Sequence, residues 1–415
     1  MDILRITTAG SVDDGKSTLI GRLLYDTRSI TKDKLEAIEA TSKRKGLDFT
    51  DLSLLTDGLI AEREQGITID VAHIYFSTPN RKYIIADSPG HVEYTRNMIT
   101  GSSNASVSLI LIDARKGVIE QTKRHFYIAS LLRIKQVVVC VNKMDLAGYD
   151  QAIFETIKKD FKVIVAKVGF EGQQIKFISL VARDGDNIVF ASARMPWYKE
   201  ETLLEFLENI SVTADVENAP ARFPVQYVVR PHSDEFHDFR GYAGKVESGS
   251  FKKGEEVVVL PSLRSSKIKT IHVYNEEKEE VQAKESVVIT LEEDVDISRG
   301  NMLVKCANGF KQLSELTATI CWMDESPGTE GKVYFLQHGP NRVKAKLTTV
   351  GPILDINSLE NNNSKNAFQL NDIGDIGIKL AKPVFADLYN NNPANGSFIL
   401  VDEFSNNTVA VGFVR

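Results

Sequence analysis

The chain has 415 residues, 42% of them apolar and 26% charged, with a net charge of −6. That length is too great for one small domain and implies two or three, each with enough apolar residues for its own core. The acidic balance disfavours a nucleic acid partner, which needs a surplus of Lys and Arg on one face. The three cysteines, Cys140, Cys306 and Cys321, fall in no CxxC spacing, which gives little support to zinc or redox readings and fits a reducing compartment. The N-terminus MDILRITTAG lacks the basic-then-apolar pattern of a signal peptide, and no apolar run approaches the ~20 residues of a membrane span. The expectation is a cytoplasmic protein with no membrane association.

Residues 1–210 alternate strand-like and helix-like stretches. ILRITTAG reads as a strand entering a glycine turn, and KSTLIGRLLYDTRS follows with Leu19, Leu23 and Leu24 on one helical face. KYIIADSPG, SLILIDARKG and QVVVCVNKMD are apolar runs ending in polar residues, as expected of parallel strands buried on both faces. The layout is an α/β doubly wound sheet, mostly parallel, with its ligand beyond the carboxyl ends of the strands. Residues 31–62 read as an insertion between strand units, a charged helix forming an extended arm outside the sheet.

After about residue 215 the texture changes. ENAPARFPVQYVVRP carries three prolines and reads as a linker running into a strand. Short strands broken by Gly, Asn and Pro then continue to residue 415, the pattern of all-β barrels. A break near VKCANGFKQL divides them. The expected domains are 1–215, the α/β domain, and two β-barrels, 216–311 and 312–415.

The chemistry begins at GSVDDGKST: Gly10, Ser11, Val12, Asp13, Asp14, Gly15, Lys16, Ser17 and Thr18. The stretch matches GxxxxGK[ST] between a predicted strand and a predicted helix, the context a P-loop requires. Its glycines let backbone N–H groups approach phosphate oxygens at a helix N-terminus. Lys16 is expected to reach the β- and γ-phosphates and Ser17 to ligate Mg²⁺. VNKMD, with Asn142, Lys143, Met144 and Asp145, selects the base. The Asp145 carboxylate can accept from the ring N–H and exocyclic amine of guanine, whereas adenine lacks that amine. Asn142 is expected to hold the acceptor on guanine's major edge and tie this loop to the P-loop, with the Lys143 stem along the base.

DSPGH supplies Asp87, Ser88, Pro89, Gly90 and His91. Asp87 is expected to hold Mg²⁺ through water, the Gly90 N–H to meet the γ-phosphate, and His91 to orient the attacking water. In REQGITID, Thr68 is placed to bind Mg²⁺ and γ-phosphate, and ordering of this segment by GTP is the expected switch. Lys16, Thr68 and His91 are thus the candidate catalytic residues. Ser17, Thr68 and, through water, Asp87 are the candidate metal ligands. His73, His125, His232 and His237 show no paired ligand spacing, and Trp197 and Trp322 read as packing anchors.

A P-loop, ITI, DxPGH and NKxD in that order, followed by two β-domains, resemble the translational GTPases of the elongation factor Tu and 1A branch. DARKGVIEQTKRHFYIASLLRIKQVVVCVNKMDL, ARMPWYKEETLLEFLE, DFRGYAGKVESGS and EEDVDISRGNMLV are more specifically similar to the family of large GTPase subunits of bacterial sulfate adenylyltransferase. The resemblance covers the whole chain. It implies GTP and Mg²⁺ as cofactors and a separate small subunit of the PP-loop type. On that partner, ATP and sulfate become adenylyl sulfate and diphosphate, driven by GTP hydrolysis here. The chain shows no second GxxxxGK[ST], so the adenylyl-sulfate kinase fused to some relatives is not expected.

The family's fifth guanine loop reads Ser-Ala-Leu before xGDN; here the stretch is LVARDGDN, with Val181 in place of Ser and Ala182 retained, its N–H available to guanine O6. In NPANGSF, Pro393 and Asn395 replace the family's Arg and Thr. Two rivals remain open: an elongation-factor-like GTPase delivering aminoacyl-tRNA, and a stand-alone GTPase switch.

Overall fold

The computed structural model describes residues 2–44, 46–55, 71–90, 95–211, 217–231, 239–274, 276–305 and 309–415. They form two compact units, residues 1–212 with 355–360, and residues 213–354 with 361–415.

The first unit is built on six strands among the described residues: β1 (Ile3–Ala9), β2 (Ala72–Ser77), β3 (Lys82–Asp87), β4 (Val107–Asp113), β5 (Gln136–Asn142) and β6 (Gln174–Ser179). Their order is β2-β3-β1-β4-β5-β6, with only β2 antiparallel to its neighbour. Every residue of β4 is buried, as the unbroken apolar run requires of a strand covered on both faces. Register gathers the polar strand ends on one edge: Thr8 lies beside Asp87 and Asp113 beside Asn142. Beyond this edge, β1 is flanked by β3 on one side and β4 on the other. This is the switch point at which open α/β sheets bind ligands.

Helix α1 (Lys16–Asp26) buries Leu19, Ile20, Leu23 and Leu24 against the sheet. Helix α2 (Lys32–Arg44) lies in the insertion, and α3 (Thr95–Ser102), α4 (Glu120–Leu131), α5 (Gln151–Val168) and α6 (Leu203–Asn209) follow it in the first unit. Local caps set two of them. Asp150 accepts from the Ala152 N–H at the start of α5, and Thr202 and Glu205 cap each other's backbone at the start of α6. In the MPWY stretch, Trp197 donates its indole N–H to the Tyr149 carbonyl at 2.9 Å and packs with Tyr198 around Phe154. Cys140 is wholly buried in β5, and that burial pushes its thiol up to about 12, so it is inert.

The insertion corrects one expectation. Residues 31–55 of the expected 31–62 arm stand outside the sheet, with 56–62 outside the described residues, and the helix Lys32–Arg44 is mostly exposed, but the end of the stretch does not project. A 3₁₀ turn at Leu52–Leu55 packs back on α1. The contact passes over Gly21, where a Cβ would lie 2.2 Å from the Leu52 carbonyl oxygen, so only glycine admits it.

The second unit contains two closed barrels. One is formed by Glu256–Leu260, Met302–Lys305, Arg222–Val229, Gly241–Lys245, Ser286–Leu291 and Arg264–Val273, the last pairing back with the first. The other runs Val333–His338, Ser397–Val401, Thr408–Val414, Leu313–Trp322, Ile373–Val384 and Asn341–Asp355, and closes between its first and last strands. Closure removes the unpaired edges an open sheet would expose. The barrels are joined by a buried polar cluster. Arg222 donates from two nitrogens to the two carboxylate oxygens of Asp387, at 3.0 and 2.9 Å, and to the Gly309 carbonyl. Asn392 and Asn395 each donate to the same carboxylate at 2.9 Å, and Asn392 also reaches Ser248. Asn395, one of the two departures in NPANGSF, therefore belongs to the joint between barrels.

Candidate functional site: a P-loop and base pocket at the sheet edge

The P-loop runs from the end of β1 into α1. Gly15 caps the helix with φ of +96°, a left-handed conformation costly for any residue with a Cβ, and a Cβ there would stand 2.4 Å from Asn142 Nδ2. Lys16 is buried, and its Nζ donates to the carbonyls of Gly10 at 2.7 Å and Ser11 at 3.1 Å. Burial pushes its ammonium pKa down, against the pull of Asp87, Asp14 and Asp13. Asp14 accepts from the Ser11 N–H at 2.7 Å, and its burial raises its carboxyl above the ordinary range. Ser17 and Thr18 are half-buried at the mouth of the helix, and Val12 and Asp13 form the outer turn.

Asp87, Ser88, Pro89 and Gly90 are all buried beside this loop. The Thr8 hydroxyl donates to Asp87 Oδ1 at 2.7 Å, and Ser88 lies 3.3 Å from the Thr7 hydroxyl. Gly90 sits against the P-loop, where a Cβ would be 2.3 Å from the Gly10 carbonyl oxygen and 2.5 Å from Lys16 Nζ. Thr68 and His91 lie outside the described residues.

A cavity of about 380 Å³ opens beside the P-loop. Asn142, Lys143, Asp145 and Ala182 line it, together with Gly15 and Thr18. Asn142 ties three loops together. Its Nδ2 donates to the Asp14 carbonyl at 2.8 Å, and its Oδ1 accepts from the Ala182 N–H at 2.9 Å. The Ala182 N–H assigned to guanine O6 is thus engaged by Asn142 in this structure. Met144 does not line the cavity, because its side chain is fully buried in the core. Val181 stands in place of Ser, yet this loop is braced by other residues. Val181 and Asp186 pair their backbones, Ser192 donates to Asp186 at 2.7 Å, and Arg194 bridges Asp184 and Asp186.

Some wall residues carried no motif signal. Leu47, Phe49, Thr50, Asp51 and Leu52 of the insertion form one side of the cavity, and Arg183 lies on its rim. Asp113 acts one layer out: it accepts bidentately from Arg115 and lies 3.2 Å from Lys143 Nζ, which also donates to the Asp13 carbonyl. Burial pushes the Asp113 carboxyl up, but the Arg115 and Lys143 donors outweigh it and hold it well below the carboxylate range. The polar end of SLILIDARKG marked this position in the sequence; nothing in the sequence between residues 47 and 52 marked a pocket wall.

Among the described residues no group of three His, Cys, Asp or Glu side chains could hold a metal by itself. Ser17 at the start of α1 and Asp87 at the end of β3 fit a Mg²⁺ that completes its shell with phosphate oxygens and water. No helix among the described residues is long and apolar enough to cross a membrane.

A P-loop and an NKxD loop on one sheet edge, with two barrels following, define the class. Residues 1–213 match the elongation factor Tu GTP binding domain and residues 315–415 the GTP-eEF1A C-terminal domain-like family. The chain is 47% identical over 415 residues to sulfate adenylyltransferase subunit 1 of Cellvibrio japonicus, covering all of this chain and 86% of the relative. It is 47% identical over 423 residues to the protein of that name from Bacteroides thetaiotaomicron, again with 100% and 86% covered. It is 46% identical over 413 residues to the bifunctional enzyme CysN/CysC of Mycobacterium tuberculosis, covering 99% of this chain and 67% of that protein. The chain belongs to the sulfate adenylyltransferase subunit 1 family of elongation factor Tu-type GTPases.

Proposed function

We propose that this chain binds and hydrolyses GTP to drive sulfate activation on a partner small subunit. There, ATP and sulfate give adenylyl sulfate and diphosphate. The observation that carries the reading is the convergence of Asn142, Asp145 and Ala182 on one cavity beside the P-loop, in a chain 47% identical to proteins named sulfate adenylyltransferase subunit 1.

In this reading Asp145 accepts from the guanine ring N–H and amine, Asn142 donates to the base's major edge, and the Lys143 stem covers a face. Lys16 exchanges its two carbonyl partners, Gly10 and Ser11, for phosphate oxygens, a charge-assisted replacement of neutral acceptors. Ser17, Asp87 through water, and Thr68 hold Mg²⁺, which neutralises charge on the phosphates. The Gly90 N–H meets the γ-phosphate, and His91 orients the attacking water. Close approach of Gly90 to the P-loop supports its part: a γ-phosphate entering against Lys16 meets this segment first. Movement of that segment on hydrolysis is the two-state element through which GTP turnover reaches the partner. A phosphoric–sulfuric anhydride forms far uphill, which is why a second nucleotide is needed.

The test is diphosphate release from ATP and sulfate by the chain with its PP-loop small subunit, with and without GTP. Strong stimulation by GTP that fails with a non-hydrolysable analogue supports the coupled reading. Intact GTP binding with no sulfate-dependent release would sink it and return the tRNA-carrier and simple-switch readings.

A further inference from the structure

Arg183 lies on the rim of the base pocket with its side chain 53% exposed, and it faces the one carboxylate that a guanine requires. Its Nη2 stands 3.4 Å from Asp145 Oδ2, while its Nε donates to Asp184 at 2.9 Å. Its guanidinium is 6.0 Å from the ring centre of Phe49, which lines the same cavity and is itself 47% exposed. Arg194 holds Asp184 from the other side at 2.8 Å, so the anchor under Arg183 is fixed while the end facing Asp145 is solvated and free to part.

Resting on the guanine reading above, we propose that Arg183 and Phe49 form the outer jaw of the base pocket. In the empty pocket Arg183 holds Asp145; when a guanine takes that carboxylate, the freed guanidinium lies on the exposed face of the purine.

The chemistry favours arginine in this part. A planar guanidinium can pair with a carboxylate edge-on and then stack on an aromatic face, and lysine does only the first. Lys143 is not available for the outer face, because its Nζ is tied to Asp113 and the Asp13 carbonyl. Phe49 comes from the insertion, so the jaw closes from two separate segments of the chain.

The test is stopped-flow binding of N-methylanthraniloyl-GDP to the full chain and to R183A, R183K and F49A, with thermal melting to check the fold of each. In R183A association rises about threefold, because Asp145 stands free, and dissociation rises about tenfold, because the cap is lost. R183K keeps the charge pair and associates at the wild-type rate, yet dissociates as fast as R183A; F49A also dissociates faster. Both R183A rates within twofold of wild type, or R183K dissociation equal to wild type, overturns the jaw. Failure of the wild-type chain to prefer the guanine analogue over the matching ADP analogue strikes the guanine reading instead.

Discussion

At the scale of single residues, base choice and acid stability hang on different side chains. Asp145 is shielded, with 14% of its side chain exposed, and in the proposed reading its carboxylate accepts from N–H groups on a guanine. Asp145→Asn reverses one acceptor into a donor, which suits the 2-oxo group of xanthine. We expect xanthosine nucleotides to gain on guanosine nucleotides by tenfold or more, roughly one hydrogen bond's worth, read by competition binding; an unchanged preference would remove Asp145 from base selection. His125 in α4 is fully enclosed, and burial, with Lys16 and Arg124 nearby, pushes its pKa down to about 3. The folded state therefore holds it neutral, while the unfolded chain takes up a proton near pH 6.5. Its contribution is present above pH 6.5 and is lost as pH falls toward 3. Between pH 7 and 5 this costs about 2 kcal/mol. Urea unfolding of wild type and His125→Leu at both pH values checks it, with the variant losing less on acidification.

At the scale of elements, the critical packing is the insertion on α1. Helix propensity alone says that Gly21→Ala gains about 1 kcal/mol in a helix interior. The space around Gly21 reverses the sign, since the new methyl meets the Leu52 carbonyl at 2.2 Å and backbone cannot yield cheaply. The Leu52–Leu55 turn must move, and Leu47 and Phe49 to Leu52, which wall the cavity beside the P-loop, move with it. The expected outcome is a loss of about 1–3 kcal/mol together with weaker nucleotide binding. Denaturant melts and GDP affinity measure both, and a stabilised variant with wild-type affinity would show the turn to be loosely held. The α/β elements themselves were legible from unbroken apolar runs ending in polar residues. The insertion's return to the pocket was not, because KGLDFTD has no period that says where a turn will land.

At the scale of the molecule, the second unit depends on a joint that neither barrel contains alone. Arg222 has a side chain only 2% exposed, and Asp387 is its carboxylate partner across the barrels. Asp387→Ala leaves that guanidinium buried with only carbonyls to face, and strips Asn392 and Asn395 of a shared acceptor. Breaking one side of a buried ion pair costs about 3 kcal/mol or more. Thermal unfolding of the variant is expected to show that loss as an earlier transition; an unchanged transition would mean the barrels hold by apolar contacts such as Phe310 on Phe385.

By itself the sequence determined the P-loop and NKxD motifs, the strands that carry them, and the order of an α/β domain followed by β-barrels. These are local: a P-loop needs a strand, a glycine turn and a helix in immediate succession, and an NKxD loop needs only the strand before it. The tertiary structure decided what faces those motifs. Arg183 and Phe49 meet across 134 residues of chain, Asn142 reaches Asp14 across 128, and Asp387 meets Arg222 across 165. Such pairs form because strand register and helix packing bring distant loops to one edge, and no short-range pattern encodes which distant loop arrives.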